Sequence, residues 1–259
     1  MRELTFGFSP CPNDTFAFHA LVHDLVDAPF GVQPVLLDIE ELNGAARDGR
    51  FDVTKLSVGA MPSAPRYRML RSGAALGHGV GPLVVAREEL SLEEAVGGRI
   101  AIPGRQTTAF LLLRLLGGEP ADAVELRFDR ILDAVANGEA DAGLIIHESR
   151  FTYREHGLVK VADLGELWEA SRSLPVPLAT ICARDDVAER DAVEAAIRAS
   201  VEYAFAHPEA SADYVAAHSQ EMSPEVCRQH IELYVNEFSI DVGDDGLAAI
   251  EALTAAVPA

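Results

Sequence analysis

A histidine, a glutamate and an arginine follow directly on an apolar run in the stretch DAGLIIHESRFTY, residues 141–153. The run at residues 142–146 has the composition of a strand that is buried on both faces. His147 stands at its end, and a neutral imidazole accepts a proton near physiological pH. The pattern therefore makes His147 the candidate catalytic base, with Glu148 as a candidate to orient it and His19 as its nearest rival among the other histidines.

A lysine and a serine stand in a second apolar stretch, VTKLSVGAM, at residues 53–61. Lys55 is either a solvated surface charge or a cation that faces a ligand, and its apolar neighbours favour the second reading. Ser57 follows at what we predict to be the end of a strand. Together they are candidates for binding a small anion.

Two polar turns complete the set of candidate sites. In IPGRQTTAF, Thr107 and Thr108 precede a predicted helix, where they either cap it or help its free N–H groups to hold a carboxylate. In SPCPND, Asn13 and Asp14 fit an Asx turn with a capping aspartate, and they are also candidates for contact with a ligand.

Strands and helices alternate along the chain, which predicts an α/β fold with parallel sheets. Strands are predicted at residues 4–8, 35–39, 82–86 and 99–102. Helices are predicted at residues 15–25 and 42–47 and from the TTAF segment to a glycine stop at Gly117. The C-terminal third reads as helices, with core positions at Val201, Phe205, Tyr214 and Val215.

Two internal similarities indicate a duplication. The segments ARDGRFDV (46–53) and VANGEADA (135–142) both place a glycine after a short helix, then an aspartate, then a strand. A strand, a polar turn and a helix precede each of them. We therefore predict two α/β lobes joined by two crossovers, with lobe one formed by residues 1–87 and 176–259 and lobe two by residues 88–175.

This arrangement positions the candidate residues. Ligands of open α/β sheets bind beyond the carboxyl ends of the strands. In a two-lobed protein these edges face the gap between the lobes, so the turns at 9–15, 54–57, 103–109 and 147–149 are predicted to meet around one cleft.

Composition excludes several classes of function. The 259 residues carry a net charge of −20, which argues against nucleic acid or an anionic membrane as a partner but leaves a small anionic ligand open. We find no P-loop, zinc motif or GxGxxG, and expect no metal and no cofactor. The three cysteines, at positions 11, 182 and 227, have no metal-ligand spacing, and the sequence shows neither a signal-peptide core nor an 18-residue apolar run. We expect a cytoplasmic protein.

Four segments, SPCPNDTFAFHALVH, DVTKLSVGA, IPGRQTTA and GLIIHESRFTY, together resemble the 1,4-dihydroxy-6-naphthoate synthase family of the futalosine route to menaquinone. The resemblance extends over essentially the whole chain. It implies a type II periplasmic-binding-protein-like fold, with two lobes, a central cleft and two crossover hinge strands.

The resemblance also implies a reaction without a cofactor. The family converts cyclic dehypoxanthinyl futalosine to 1,4-dihydroxy-6-naphthoate in a carbon–carbon lyase step. By motif, His147 would be the proton acceptor, and Lys55, Leu56, Ser57, Thr108 and Ala109 would bind substrate. Arg105 and Arg150 are alternative partners for the substrate carboxylate. The alternatives are a chorismate dehydratase of the same pathway and a non-catalytic protein that binds small anions.

Overall fold

Two mixed β-sheets form the framework of the protein. The computed structural model describes residues 2–220 and 223–257, so residues 1, 221, 222, 258 and 259, all assigned to the predicted lobe one, lie outside the described part. The strands are β1 Glu3–Phe8, β2 Gly31–Leu36, β3 Val53–Ser57, β4 Tyr67–Met69, β5 Ala75–Gly77, β6 Leu83–Ala86, β7 Arg99–Ile102, β8 Asp122–Glu125, β9 Ala142–Ile145, β10 Val159–Asp163 and β11 Val176–Arg184.

Helices cover both sheets and dominate the end of the chain. They are α1 Pro12–Val22, α2 Ile39–Arg47, α3 Leu92–Gly97, α4 Thr108–Gly117, α5 Ile131–Ala136, α6 Ser149–Thr152, α7 Leu164–Arg172, α8 Arg190–Ala206, α9 Ala212–His218, α10 Pro224–Tyr234, α11 Glu237–Ile240 and α12 Gly243–Thr254. None of the helices in the described ranges is long and apolar enough to cross a membrane.

The two sheets repeat one topology. The first has the order β2-β1-β3-β11-β4, with β5 also paired to β11, and the second has the order β8-β7-β9-β6-β10. In each, three parallel strands are followed by an antiparallel one, β11 beside β3 and β6 beside β9. The predicted duplication into two α/β lobes matches this order. The predicted parallel pairing holds for three strands of each sheet, and the other strands pair antiparallel.

One strand falls on the other side of the predicted lobe boundary. The boundary at residue 87 assigned β6 to lobe one, but β6 pairs with β9 and β10 in the second sheet. All four of its residues are buried, so β6 is an inner strand of that sheet and not a linker. Strand β11 makes the return crossing and is an inner strand of the first sheet. The rest of the predicted division stays a prediction.

Local signals fixed some element ends and not others. Helix α1 begins at Pro12 and not at residue 15, because proline is tolerated in a first turn whose N–H groups lack helical partners. Strand β2 ends at Leu36, earlier than predicted, and Asp38 then caps α2 in a capping box with Glu41. Helix α4 ends at Gly117 as predicted.

The C-terminal helices pack against α1. Val201 and Val215 are buried with Phe16 and Ala17 of α1 in one apolar cluster. Two predicted core positions differ: Phe205 is 44 % exposed and Tyr214 is half-buried. Because α1 is covered by the sheet on one side and by these helices on the other, every residue from Pro12 to Leu21 is buried.

Candidate active site

The four predicted turns meet around a single cavity between the two sheets. Its volume is about 60 Å³. The predicted site residues on its wall are Asn13, Lys55, Ser57, Thr107, Thr108, Ala109 and His147. Ile39, Val80, Pro82, Leu178 and Tyr234 supply much of the apolar wall. The cavity therefore offers an apolar slot with a few polar groups, the usual composition of a small-molecule site.

His147 is held in an unusual backbone conformation at the end of β9. Its φ angle is +56°, in the left-handed region that non-glycine residues seldom occupy. The ring packs edge-on against Phe128, with the centroids 4.9 Å apart. Its Nε2 atom is enclosed and has no hydrogen-bond partner in the described parts of the chain. An unpartnered ring nitrogen in a cavity wall is what a proton acceptor requires before its substrate arrives.

Burial and a neighbouring cation keep His147 neutral. Burial, followed by the charge of Lys55, lowers the pKa of His147 to about 3, and Asp14 offsets part of this effect. The imidazole is therefore in its proton-accepting form at all physiological pH values.

Lys55 is a buried cation and not a solvated surface charge. Its side chain is 4 % exposed, and its Nζ lies 2.5 Å from Oδ1 of Asp14. No other described Lys or Arg lines the cavity. An ammonium has three N–H donors, and Asp14 is the only described group that accepts from this one, so two donors stay available to a ligand anion.

Ser57 and Leu56 lie on opposite faces of β3, since side chains alternate along a strand. Asn43 donates from Nδ2 to Oγ of Ser57 at 2.9 Å, and its Oδ1 accepts from the Ser57 N–H. The Ser57 hydroxyl hydrogen is therefore not used in the contact with Asn43, and Ser57 lies on the cavity wall. Leu56 instead packs with Ala46, Tyr67 and Cys182 in a separate apolar cluster, so its side chain is placed away from a ligand.

Thr107 and Thr108 use their hydroxyls within the protein. Thr107 caps α4, since its hydroxyl accepts from the N–H of Phe110 at 3.2 Å. Helix capping was one of the two roles predicted for the threonines. The Thr108 hydroxyl donates to the Leu178 carbonyl at 2.7 Å and accepts from the N–H of Gly59 at 3.1 Å. What Thr108 and Ala109 offer a ligand is the pair of N–H groups in the first helical turn, which lack intrahelical partners.

The two arginines considered as carboxylate partners are engaged elsewhere. Arg105 is exposed and pairs with Glu125 at 2.9 Å. Arg150 pairs with Asp163 at 2.6 Å and donates to the Gly81 carbonyl, which fixes the crossover that leads into β6. His19 stacks against His23 with the ring centroids 4.4 Å apart, outside the cavity wall.

A second histidine, His230 of α10, lies on the cavity wall and was missed from the sequence. It is fully buried, its Nε2 lies 2.9 Å from Oδ1 of Asn13, and its ring centroid is 6.1 Å from that of His147. Tyr234 lines the same wall one helical turn later. The available signal was a histidine four residues before a tyrosine on the apolar face of a helix, which does not differ from an ordinary core pattern.

The cavity is small, and hydrogen bonds join the two lobes beside it. Its 60 Å³ corresponds to about two water molecules, too little for a bicyclic aromatic ligand. Glu40 of α2 accepts from both the backbone N–H and the side-chain amide of Gln106, at 3.2 and 3.1 Å. Asn43 adds a contact to the Gln106 carbonyl at 3.4 Å. A ligand of this size therefore needs a wider cavity than the one in this structure.

Comparisons with known proteins identify the family of the chain. The family model described as "Menaquinone biosynthesis" matches residues 4–258. A protein of Thermus thermophilus named "1,4-dihydroxy-6-naphtoate synthase" is 54 % identical over 258 residues, which cover 98 % of this chain and 94 % of that protein. A protein of the same name from Streptomyces coelicolor is 45 % identical, covering 96 % and 91 %.

Solved structures extend the likeness to the fold. The protein AF1704 from Archaeoglobus fulgidus superposes with a TM-score of 0.92 at 36 % identity, covering 98 % of this chain and 96 % of that one. The alkanesulfonate-binding protein SsuA from Xanthomonas axonopodis, bound to MOPS, gives 0.72 at 15 % identity, covering 100 % and 95 %. The predicted periplasmic-binding-protein-like fold is thus confirmed, and the chain belongs to the menaquinone biosynthesis family that includes the 1,4-dihydroxy-6-naphthoate synthases.

Proposed function

We propose that this enzyme is a carbon–carbon lyase that converts cyclic dehypoxanthinyl futalosine to 1,4-dihydroxy-6-naphthoate and releases a small sugar-derived fragment. One observation carries the proposal. An enclosed imidazole nitrogen without a partner, on His147, shares a small apolar cavity with a buried ammonium that has two free donors, on Lys55. A base and an anion site within one small apolar slot suit proton abstraction from an aromatic carboxylate.

The chemistry assigns each group a task. Nε2 of His147 takes a proton from the carbon next to a carbonyl, forming an N–H bond as the C–H bond breaks and leaving the electron pair on the substrate as an enolate. The Ser57 hydroxyl and the N–H groups of Thr108 and Ala109 would donate to the negative oxygen. Lys55 holds the carboxylate. A positioned base of this kind contributes about 10²- to 10⁴-fold to the rate.

Substrate binding would also strengthen the base. The positive charge of Lys55 is the second cause, after burial, that lowers the pKa of His147. A carboxylate bound to Lys55 offsets that charge, so the pKa of His147 rises once the substrate is in place. The imidazole is then a poor base in the empty site and a better one in the loaded site.

The test is turnover by the purified protein. We expect cyclic dehypoxanthinyl futalosine to yield 1,4-dihydroxy-6-naphthoate, detected by its absorbance and by mass. Chorismate, offered separately, distinguishes the alternative dehydratase. Turnover of chorismate alone would overturn the proposal, and tight binding of both compounds without turnover of either would favour the non-catalytic anion-binding protein, the class of function that the sulfonate-binding structural relative represents.

We also propose that the reaction takes place in the cytoplasm. The three thiols, at Cys11, Cys182 and Cys227, are buried and form no disulfide within the described residues, as is usual in a reducing compartment.

A further inference from the structure

We propose that His230 is a positioning residue that aims the Lys55 ammonium and thereby makes the site selective for a carboxylate on an aromatic ligand. The inference deepens the proposed function and takes its ligand class from it. A hydrogen-bonded chain within the cavity wall, His230–Asn13–Asp14–Lys55, carries it.

The first link is a carboxylate surrounded by donors. Oδ2 of Asp14 accepts from the N–H of Ser9 at 3.0 Å and from its hydroxyl at 2.6 Å. Oδ1 accepts from Lys55 Nζ at 2.5 Å and from Nδ2 of Asn13 at 2.9 Å. Every partner of Asp14 in this set donates, so Asp14 acts only as an acceptor. Its position, and with it the position of the ammonium, depends on all four bonds.

The second link fixes the amide of Asn13. Because Asp14 only accepts, the NH₂ group of Asn13 must face Asp14, and the amide oxygen must face His230. That oxygen lies 2.9 Å from Nε2 of His230, which therefore carries the hydrogen and donates it. The tautomer of His230 follows from the chain and does not have to be assumed.

The third link ties the chain to the C-terminal helices. His230 belongs to α10, far along the chain from the turn that holds Asn13 and Asp14, and it is fully buried. Its Nδ1 lies 4.0 Å from Oε2 of Glu148, the residue after His147. His230 is thus wedged between the turn that positions the cation and the turn that positions the base.

Removal of His230 would release the far end of this chain. The Asn13 amide oxygen would then lose its donor, and only the bond from Nδ2 to Asp14 would hold the amide in place. Asp14 and Lys55 would shift in response. The larger loss would fall on a ligand carboxylate, because Ile39, Val80 and Leu178 stay in place, and a neutral ligand of the same shape measures what the change in the wall at His230 costs by itself.

The test compares a carboxylate with its neutral isostere. Titration calorimetry measures binding of 2-naphthoate and of naphthalene-2-carboxamide to the wild type and to His230→Leu and His230→Gln. The glutamine amide can donate to Asn13 as Nε2 does. We expect His230→Leu to weaken naphthoate binding by about tenfold or more and carboxamide binding by less than about twofold. The affinity of His230→Gln for either ligand should stay within about threefold of that of the wild type.

Asn13→Ala breaks the same chain at its middle and must give the same selective loss, which keeps the test decisive even if His230→Leu does not fold. Unchanged naphthoate binding in both variants, an equal loss for both ligands, or a glutamine variant as impaired as the leucine variant would each overturn the proposal. A wild-type protein that binds naphthoate selectively but does not turn over the cyclic substrate would refute the proposed function and leave this inference standing.

Discussion

The buried ion pair between Asp14 and Lys55 gives the sharpest quantitative prediction. Both side chains are 4 % exposed, so removing the carboxylate by Asp14→Asn leaves an ammonium without its counter-charge in the protein interior. Breaking one side of such a pair costs about 3–5 kcal/mol of unfolding free energy. At about 2–4 °C per kcal/mol for a chain of this size, the melting temperature should fall by roughly 6–20 °C.

The matched control removes the other partner. Lys55→Met replaces the ammonium with an apolar side chain of similar length, and the double variant carries neither charge. Urea denaturation of the four proteins gives a double-mutant cycle. We expect Asp14→Asn combined with Lys55→Met to be more stable than Asp14→Asn alone, since the uncompensated charge is then gone.

A small loss would refute this reasoning. If Asp14→Asn costs less than about 1 kcal/mol, or if the double variant loses the full sum of the single losses, then Asp14 and Lys55 do not act as a buried pair. The claim that Lys55 waits in the cavity for a ligand carboxylate would fail with it.

The remaining predictions concern pH and closure. Burial, followed by the charge of Lys55, lowers the pKa of His147 to about 3, whereas the pKa of the same group in the unfolded chain is near 6.5. Between these two pH values the unfolded state therefore binds one more proton than the folded state. The unfolding free energy consequently falls as pH decreases. This proton contributes about 1.4 kcal/mol of unfolding free energy per pH unit between pH 6 and 4. Denaturant titrations at several pH values should show that His147→Asn reduces the slope of unfolding free energy against pH by that amount. An unchanged slope would mean that the ring titrates normally. Glu40→Gln removes the charge that accepts from two donors of Gln106 and should favour a form with the lobes further apart. X-ray scattering of the ligand-free protein would show this form as a larger radius of gyration. Glu41→Gln, on the same helix, is the control. Equal radii for the two variants would show that Glu40 does not hold the lobes together.

Much of the architecture could be predicted from the sequence, because strands buried on both faces and their polar ends have a clear pattern. The apolar run before His147 and the lysine within VTKLSVGAM each predicted a strand that ends at the cleft. The repeated pattern of a helix, a glycine and an aspartate predicted the second lobe. These signals are local in the sequence. The two sheets share one strand order, and the strand ends that carry these residues therefore lie around one cavity.

What could not be predicted depends on contacts between distant parts of the chain. His230 reaches the cavity because α10 packs on α1, and no local pattern encodes that docking. Arg105 and Arg150 looked like carboxylate partners from their positions beside the motifs, yet Glu125 and Asp163, which pair with them, lie on other strands. The placement of β6 in the second sheet likewise follows from pairing with β9, which comes later in the chain.

The role of His147 is the central claim, and the His147→Asn variant tests it most directly. Asparagine keeps a polar group of similar reach but cannot accept the proton. We expect this variant to bind 1,4-dihydroxy-6-naphthoate within about threefold of the wild type while kcat for the cyclic substrate falls by about 10²- to 10⁴-fold. Turnover by His147→Asn at the wild-type rate would remove the imidazole from the base role and contradict the account of the site.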